Sequence, residues 1–560
     1  MTSIRPLIIA LFTLSIAACV SAPVARDAVT ISIIGTNDVH GALAANDEVG
    51  GLVTVSAYVD ALRKARAADG GAVLLIDAGD MWQGTLESNL VEGAAVVEAY
   101  NAMEVTAAAI GNHEFDFGPE GQNAVPVEAG EDPRGNLKRR ASEAQFPLLT
   151  ANLIDTSTGA PVDWDNVRPS VMVEAAGIKV GIVGVMTANA LTMTIAANVT
   201  GLEIAPLADT ITAVARQLRD DGAVLVIVAA HAGGKCTDFS DRQDLSSCDM
   251  SAEVMRLANA LEPGLVDYII GGHHHNPIAH VANDIPITSN HANTYSFGRV
   301  DFQVDLDQQA VVSRQVFAPQ QTAPGTRDEY EGFPLVPNPD VELVAKLATA
   351  RVEAVKQEKL GVTLTGPFEL GPDIESAIGN LMTRAMLDSF DADIAIHNVF
   401  GGIRAGLPAG ELTYGAVFEM FPFDNIVTVH ELSGRDLRGV IARQAGASRL
   451  PGFAGMRVFV SCSEIGQMLV EMRLNDGREI GDDDRIRVVA NDFLAMGGDD
   501  ILTPAIPDGG FELHYDMPLT RDALVSWFKA GPATLAPEDF RSHDEPNWTL
   551  PDIIPDTCQF

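Results

Sequence analysis

The sequence predicts an α/β layered fold, and three observations carry that prediction. Short apolar runs rich in β-branched residues alternate with stretches of helical periodicity, the pattern of strands covered by helices. Five of these runs break into loops bearing Asp, Asn or His, and sheets of this class place their sites at the carboxyl ends of strands. The pattern fades after Phe317, and a region with its own helix and strand candidates begins at Gly361. At 560 residues the chain is too long for one hydrophobic core, so two or more domains are expected.

Taken in order, residues 29–34 are almost continuously apolar, as expected of a buried strand, and run into Gly35-Thr36-Asn37-Asp38-Val39-His40-Gly41. Asp38 and His40 alternate there and so can point to one side. Residues 53–67 have helical character, and residues 72–76 form a second strand candidate ending in Asp77-Ala78-Gly79-Asp80. A helix over 94–103 leads to Ala107-Ala108-Ala109-Ile110, which breaks at Gly111 and delivers Asn112, His113, Glu114 and Asp116. Residues 118–145, rich in Gly, Pro and charge, read as a loop insertion. Strand candidates over 224–228 and 266–270 precede His231 and Gly272-His273-His274-His275. Residues 319–339 hold several prolines and glycines and read as a linker, with a connecting helix over 342–358. In the second region a helix is expected over 374–389 and a strand over 485–489.

Charge excludes some partners. The formal net charge is -39, from 76 acidic and 37 basic residues, which argues against a nucleic-acid polymer and against adhesion to anionic lipid headgroups. A small anionic substrate would need local cations, from metals or arginines. At the start, Arg5, an apolar run over 7–16 and Ala17-Ala18-Cys19 read as an export signal, too short for a comfortable membrane span. Ile16-Ala17-Ala18-Cys19 resembles a bacterial lipobox, which would make Cys19 a lipidated first residue; cleavage near Ala22 without lipid is the alternative. The remaining Cys236, Cys248, Cys462 and Cys558 allow three pairings in an oxidising compartment. Cys236 with Cys248 and Cys462 with Cys558 is the favoured one, since the first brackets a polar loop and the second would tie down the C-terminal tail; free buried thiols are the other reading.

Collected from the strand ends, the candidate metal ligands are Asp38, His40, Asp80, Asn112, His231, His273 and His275, with His113 and Asp116 beside them. Any one of these histidines alone is more often a satisfied core or loop residue. Coincidence at five strand ends is far harder to sustain. Carboxylate, imidazole and amide oxygen together suit zinc, manganese or iron. Seven ligands exceed one tetrahedral ion and suit two ions sharing a carboxylate, for which Asp80 is the natural bridge. Two ions about 4 Å apart can activate a water between them and neutralise an ester phosphate under in-line attack. The i to i+3 spacing of His113 and Asp116 lets an imidazole be oriented by a carboxylate.

The motifs Asp38-x-His40, Gly79-Asp80, Gly111-Asn112-His113-Glu114, His231 and Gly272-His273-x-His275 resemble those of the calcineurin-like metallophosphoesterases. With the C-terminal region, the chain resembles the bacterial 5′-nucleotidase and UDP-sugar hydrolase family. The resemblance implies a layered β-sandwich metallophosphoesterase domain flanked by helices, and a second α/β substrate-binding domain. It implies that Asp38, His40, Asp80 and His275 hold one metal and Asp80, Asn112, His231 and His273 the other. By the same resemblance, His113 oriented by Asp116 stabilises the transition state or protonates the leaving oxygen. His274 is left over and is expected to face solvent.

In the second region Phe400-Gly401-Gly402-Ile403-Arg404 resembles the family's glycine-rich substrate segment; Gly401 and Gly402 let the backbone approach a ligand, and Arg404 can fork onto a phosphate. Phe421-Pro422-Phe423 and the segment from Asn491 to Asp499 resemble those that clamp a base, which implies stacking by Phe423 and Phe493 with Asp499 nearby. There are departures. Pro372 stands where the family usually has an arginine, the asparagine common before the Gly-Gly-Ile-Arg run is displaced to Asn398, and His275 stands where some members carry glutamine.

The expected organisation is therefore a lipoprotein signal peptide over 1–18, a catalytic domain over 29–318, a linker and connecting helix over 319–359, a nucleotide-binding domain over 360–545 and a tail over 546–560. The expected function is two-metal hydrolysis of nucleotide phosphate esters, of the 5′-nucleotidase or UDP-sugar hydrolase type, by an exported protein whose only membrane contact is a lipid at Cys19. The alternatives are a 2′,3′-cyclic nucleotide phosphodiesterase, a hydrolase of another anionic ester, or a nucleotide-binding protein without catalysis.

Overall fold

The computed structural model describes residues 28–121, 123–371, 375–445, 450–463, 466–540, 546–551, 554 and 558. The export signal with Cys19, and Pro372, lie outside the described residues.

Two sheets face each other in the first half of the chain. In one, Ala28–Thr36, Ala72–Asp77, Ala107–Ala109 and Leu148–Leu149 run parallel, with Ile34 opposite Leu75 and Ile76 opposite Ala107. Ser296–Asp305 flanks Ala28–Thr36 antiparallel on the other side. In the second sheet, Ile178–Met186, Leu225–His231 and Tyr268–Ile270 run parallel, bordered by antiparallel Ser170–Ala175 and the pair Ile278–Ala282 and Ile285–Ser289.

The alternation of side chains along a strand builds the layers. Ile31 and Ile33 belong to the core between the sheets, with Ile182, Ile227 and Ile270 of the second sheet, whereas Ile34 turns outward to the core beneath the helices Gly51–Asp69 and Ala94–Ala102. On the far side, Val226 and Val228 meet the helices Leu207–Asp220 and Glu253–Ala260. The parallel strands are thus buried on both faces, which is why they read as continuous apolar runs rather than alternating ones.

The expected loop over 118–145 is corrected in part. It contains the helix Gly135–Glu143, which buries Leu137, Arg140 and Ala141 on one face. Its sequence is mostly polar, and Arg140 is sunk through its guanidinium contacts to the Val91 carbonyl and Glu143, so an apolar stripe too short to register marks it. The proline-rich stretch after Phe317 holds short paired strands, Glu329–Tyr330 with Phe333–Pro334, pinned to the first half by Tyr330, whose hydroxyl accepts from Arg299 Nη1 at 2.8 Å. The connecting helix runs Pro339–Lys356, starting where Asn338 accepts the Asp340 N–H and proline takes a position needing no donor. Its Val341, Val344, Ala345 and Ala348 complete the first half's outer core, and its Val352 packs with Leu86 and with Phe418 of the second half.

In the second half, Val427–Ser433, Arg485–Asn491, Ile394–His397 and Gly452–Ala454 form a four-stranded sheet in that order. Val489 faces the helices Ala377–Ser389 and Thr520–Ala530, while Val488 and Ala490 face the helix Gly434–Ala445. The helix expected from residue 374 begins at Ala377, after Ser376 accepts the Gly379 N–H at 3.1 Å. Disulfides join Cys236 to Cys248 and Cys462 to Cys558. Among the described residues no helix is long and apolar enough to cross a membrane.

Candidate active site

Loops from the carboxyl ends of both sheets meet over the cleft between them. The loops after Ala28–Thr36 and Ala72–Asp77 stay paired beyond the strands: Asp38 N–H donates to the Gly79 carbonyl and His40 N–H to the Asp80 carbonyl. The backbone there is left-handed at Asp38, His40, Asp80, His273 and His275, with φ between 49° and 71°. A non-glycine residue in that region costs on the order of 1–3 kcal/mol, and such residues cluster where a site needs particular side-chain directions.

Two groups of donors result. Asp38, His40 and His275 present ligand atoms within 4.8 Å of one another, and so do Asp80, His231 and His273. In the first group, His40 Nε2 and His275 Nε2 are 3.0 Å apart, and His275 Nε2 lies 3.5 Å from Asp38 Oδ1. In the second, His231 Nε2 faces Asp80 Oδ2 at 3.1 Å and Asn112 Oδ1 at 3.0 Å. Neighbouring groups hold these donors in place. His40 Nδ1 donates to the Gln83 carbonyl at 2.8 Å and His231 Nδ1 to the Ala78 carbonyl at 2.9 Å, which leaves each Nε2 facing its group. Asp38 accepts from Asn37 Nδ2 at 2.6 Å and from the His273 N–H.

The charge states of three imidazole donors suit a cation. Burial pushes His40 down to about 3 and holds His273 and His275 well below the ordinary imidazole range, keeping their lone pairs free. Burial raises Asp38 to about 7. At Asp80 burial works upward, but His231 and His113 outweigh it and hold the carboxyl well below its usual range. Burial opposes charge on His231, and Asp80 overrides it, raising the imidazole to about 10. Buried carboxylates, imidazoles and an amide oxygen aimed into one space fit divalent ions.

Two motif residues with no expected role of their own, Glu114 and Gly111, hold this geometry. Glu114, buried and raised by that burial to about 8, accepts the N–H groups of Gly111, Asp80 and Met81 at 2.6–2.8 Å. One carboxylate thereby fixes two ligand loops. Gly111 has no room for a side chain, because a Cβ there would meet Asp80 Oδ1 at 2.3 Å.

His113 stands beside the donors. Its Nδ1 is 2.7 Å from Asp116 Oδ2, and Asp116 Oδ1 accepts from Thr194 Oγ1 at 2.7 Å. Burial alone would lower His113, but Asp116 and then Asp80 outweigh it and raise it.

The second half supplies the roof. A cavity of about 540 Å³ is lined by Asp80, Asn112, His113, Asp116, His273 and His275 from below and by Gly401, Gly402, Arg404, Phe423, Phe493 and Asp499 from above. Phe423 lies with its ring 5.8 Å from that of His113 and 5.1 Å from the Arg404 guanidinium carbon. Phe421, two residues earlier, is fully buried core. Gly401 has φ of 106°, and a Cβ on Gly402 would strike Asn398 Oδ1 at 2.5 Å, so the loop shape requires both glycines. Asp499 accepts from Asn398 Nδ2 at 2.6 Å. Asn398, Phe400, Asn189 and His274 also line the cavity without having been singled out for it; His274 itself is exposed at the rim. The displaced asparagine could have pointed to Asn398, and the glycine-rich segment already contained Phe400.

Known proteins resemble this chain. The model of the calcineurin-like phosphoesterases matches residues 31–277, and that of the 5′-nucleotidase C-terminal domain matches residues 361–505. The cell wall protein Lmo0130 of Listeria monocytogenes is 26% identical over 521 residues, which cover 86% of this chain and 65% of that protein. Protein UshA of Escherichia coli is 25% identical over 504 residues, covering 84% of this chain and 86% of UshA. Among solved structures, a 5′-nucleotidase precursor from Thermus thermophilus superposes with a TM-score of 0.71 at 21% identity, over 94% of this chain and all of that one.

Proposed function

Because this chain belongs to the calcineurin-like phosphoesterases that carry a 5′-nucleotidase C-terminal domain, we propose that it hydrolyses phosphate esters of nucleotides outside the cytoplasm. The observation that carries this reading is one cavity lined by members of both donor groups, the His113–Asp116 pair, Arg404, Phe423 and Phe493. Asp38, His40 and His275 would hold one divalent ion and Asn112, His231 and His273 the other, with Asp80 between them. Bound there, the ions would supply an activated water and positive charge against the phosphoryl oxygens.

The chain's own residues do the rest. Arg404 orients the phosphate and offsets its charge. His113, with Asp116 on Nδ1, presents Nε2 to the leaving oxygen and gives it a proton. Phe423 and Phe493 stack on the base, and Asp499 accepts from a hydroxyl or amine of the nucleoside. In this division of labour residues 29–318 cut and residues 360–545 capture.

A second reading has one observation in its favour. Among the described lining residues Arg404 is the one permanent cation, which suits a singly charged 2′,3′-cyclic phosphodiester better than a dianionic monoester. A panel of mono-, di- and cyclic nucleotides and UDP-sugars, run with zinc, manganese and iron, separates the two. Release of nucleoside and phosphate from a 5′-monophosphate supports the first reading; turnover of the cyclic substrate alone replaces it. No turnover of any nucleotide by metal-loaded protein would overturn both.

Export is part of the same proposal, supported by the Ile16-Ala17-Ala18-Cys19 sequence and by the relative named as a cell wall protein. Cys19→Ser should move the protein from membrane to soluble fractions. Unchanged partitioning would remove the lipid anchor from the reading.

A further inference from the structure

Gln83 belongs to neither donor group, yet it touches both halves of the site. Its main-chain carbonyl accepts from His40 Nδ1 at 2.8 Å, and its side-chain Nε2 donates to the Pro422 carbonyl at 2.9 Å. The residue is 2% exposed, so its amide is committed to that contact rather than shared with water. Asn89 Nδ2 donates to the same Pro422 oxygen at 3.2 Å, and Asn89 Oδ1 accepts the N–H of Gly84, the residue after Gln83. Both acceptor positions of the Pro422 carbonyl are therefore taken by amides of the metal-binding half.

Pro422 sits between a core residue and a cavity residue. Phe421 anchors one side, its ring 5.5 Å from those of His397 and Phe423. On the other side Arg521 Nη1 donates to the Phe423 carbonyl at 3.0 Å. The second half thus fixes both flanks of the segment from its own core, and the first half fixes the middle. Phe423 follows Pro422 directly, its ring 5.8 Å from that of His113.

We propose that Gln83, seconded by Asn89, is a positioning residue that ties the aromatic face presented to the substrate base to the loop carrying His40, so that the protein discriminates for esters bearing a planar base. This inference rests on the nucleotide reading above and names the residues that would make its selectivity. The main-chain bond to His40 survives any substitution at Gln83. Its removal therefore acts on the roof and leaves the His40 anchor in place.

The test compares Gln83→Ala and Gln83→Ala/Asn89→Ala with the wild type on its preferred nucleotide and on p-nitrophenyl phosphate. Loss of a buried neutral hydrogen bond corresponds to roughly three- to tenfold, expected in KM for the nucleotide, with a clearly smaller change for the aryl ester. In a Phe423→Ala background the same changes should add less than about twofold, because they act through that ring. Gln83→Met, which keeps the length of the side chain and removes the donor, should reproduce the KM effect if the alanine variants fold poorly.

Equal losses on both substrates, full additivity with Phe423→Ala, or a wild-type nucleotide KM in Gln83→Met would each overturn the proposal. A wild type that does not prefer nucleotides over the aryl ester would instead overturn the nucleotide reading itself.

Discussion

His113 and Asp116 meet at 2.7 Å within a single helical turn, and the backbone N–H of the same His113 donates to Asp80 Oδ1 at 2.8 Å. One residue therefore touches the donor cluster through its main chain and Asp116 through its ring, the group to which the proposed mechanism gives the proton transfer. Substitution can separate the two.

His113→Ala keeps the N–H to Asp80 and removes the imidazole. Turnover should fall by about 10²- to 10⁴-fold, the range for a lost general acid, while metal content measured by mass spectrometry stays near that of the wild type. Loss of metal together with activity would assign His113 to the structure of the cluster instead.

Phe423→Ala and Phe493→Ala should weaken nucleotide binding by about 1–3 kcal/mol, the worth of a base stacked on an aromatic ring. Hydrolysis of p-nitrophenyl phosphate should change much less. Equal effects on KM for both substrates would refute stacking.

Gly111→Ala removes no donor atom. Its Cβ would lie 2.3 Å from Asp80 Oδ1 and 2.6 Å from Asp80 N, both held by the Glu114 and His113 contacts, so the loop must shift. The expected result is a weaker hold on metal, read as loss of activity at low metal concentration that excess metal restores in part. A wild-type metal titration curve would show that the Asp80 loop yields freely.

The Cys462–Cys558 bridge closes a segment with a sequence separation of 96. Loop entropy for that length predicts a contribution of about 4.7 kcal/mol as an upper bound, which strain and denatured-state structure reduce. Cys558→Ser should lower the urea midpoint of the second half's unfolding accordingly, with the metal donors undisturbed in the other half. An unchanged midpoint would mean that the tail contributes nothing to stability.

Local pattern was enough for much of this. The parallel strands were legible because burial on both faces writes itself as an unbroken apolar run, as at Leu225–His231, and the donors were legible because each follows such a run directly. The helix Gly135–Glu143 was not, since a short polar helix held by Arg140 leaves no apolar period to find. Glu114 was visible as a residue of its motif but not as the acceptor of three backbone N–H groups from two loops.

The sequence by itself determined the α/β layering, the residues available to hold metal and the pairing of His113 with Asp116, because each depends on neighbours a few positions away. Tertiary structure alone decided that Glu114 ties the Asp80 loop to its own, that Phe423 stands beside His113, and that Gln83 reaches Pro422 across a separation of 339 residues. Those outcomes depend on how two sheets and a second half close on one another, and no local periodicity encodes a contact made at that distance along the chain.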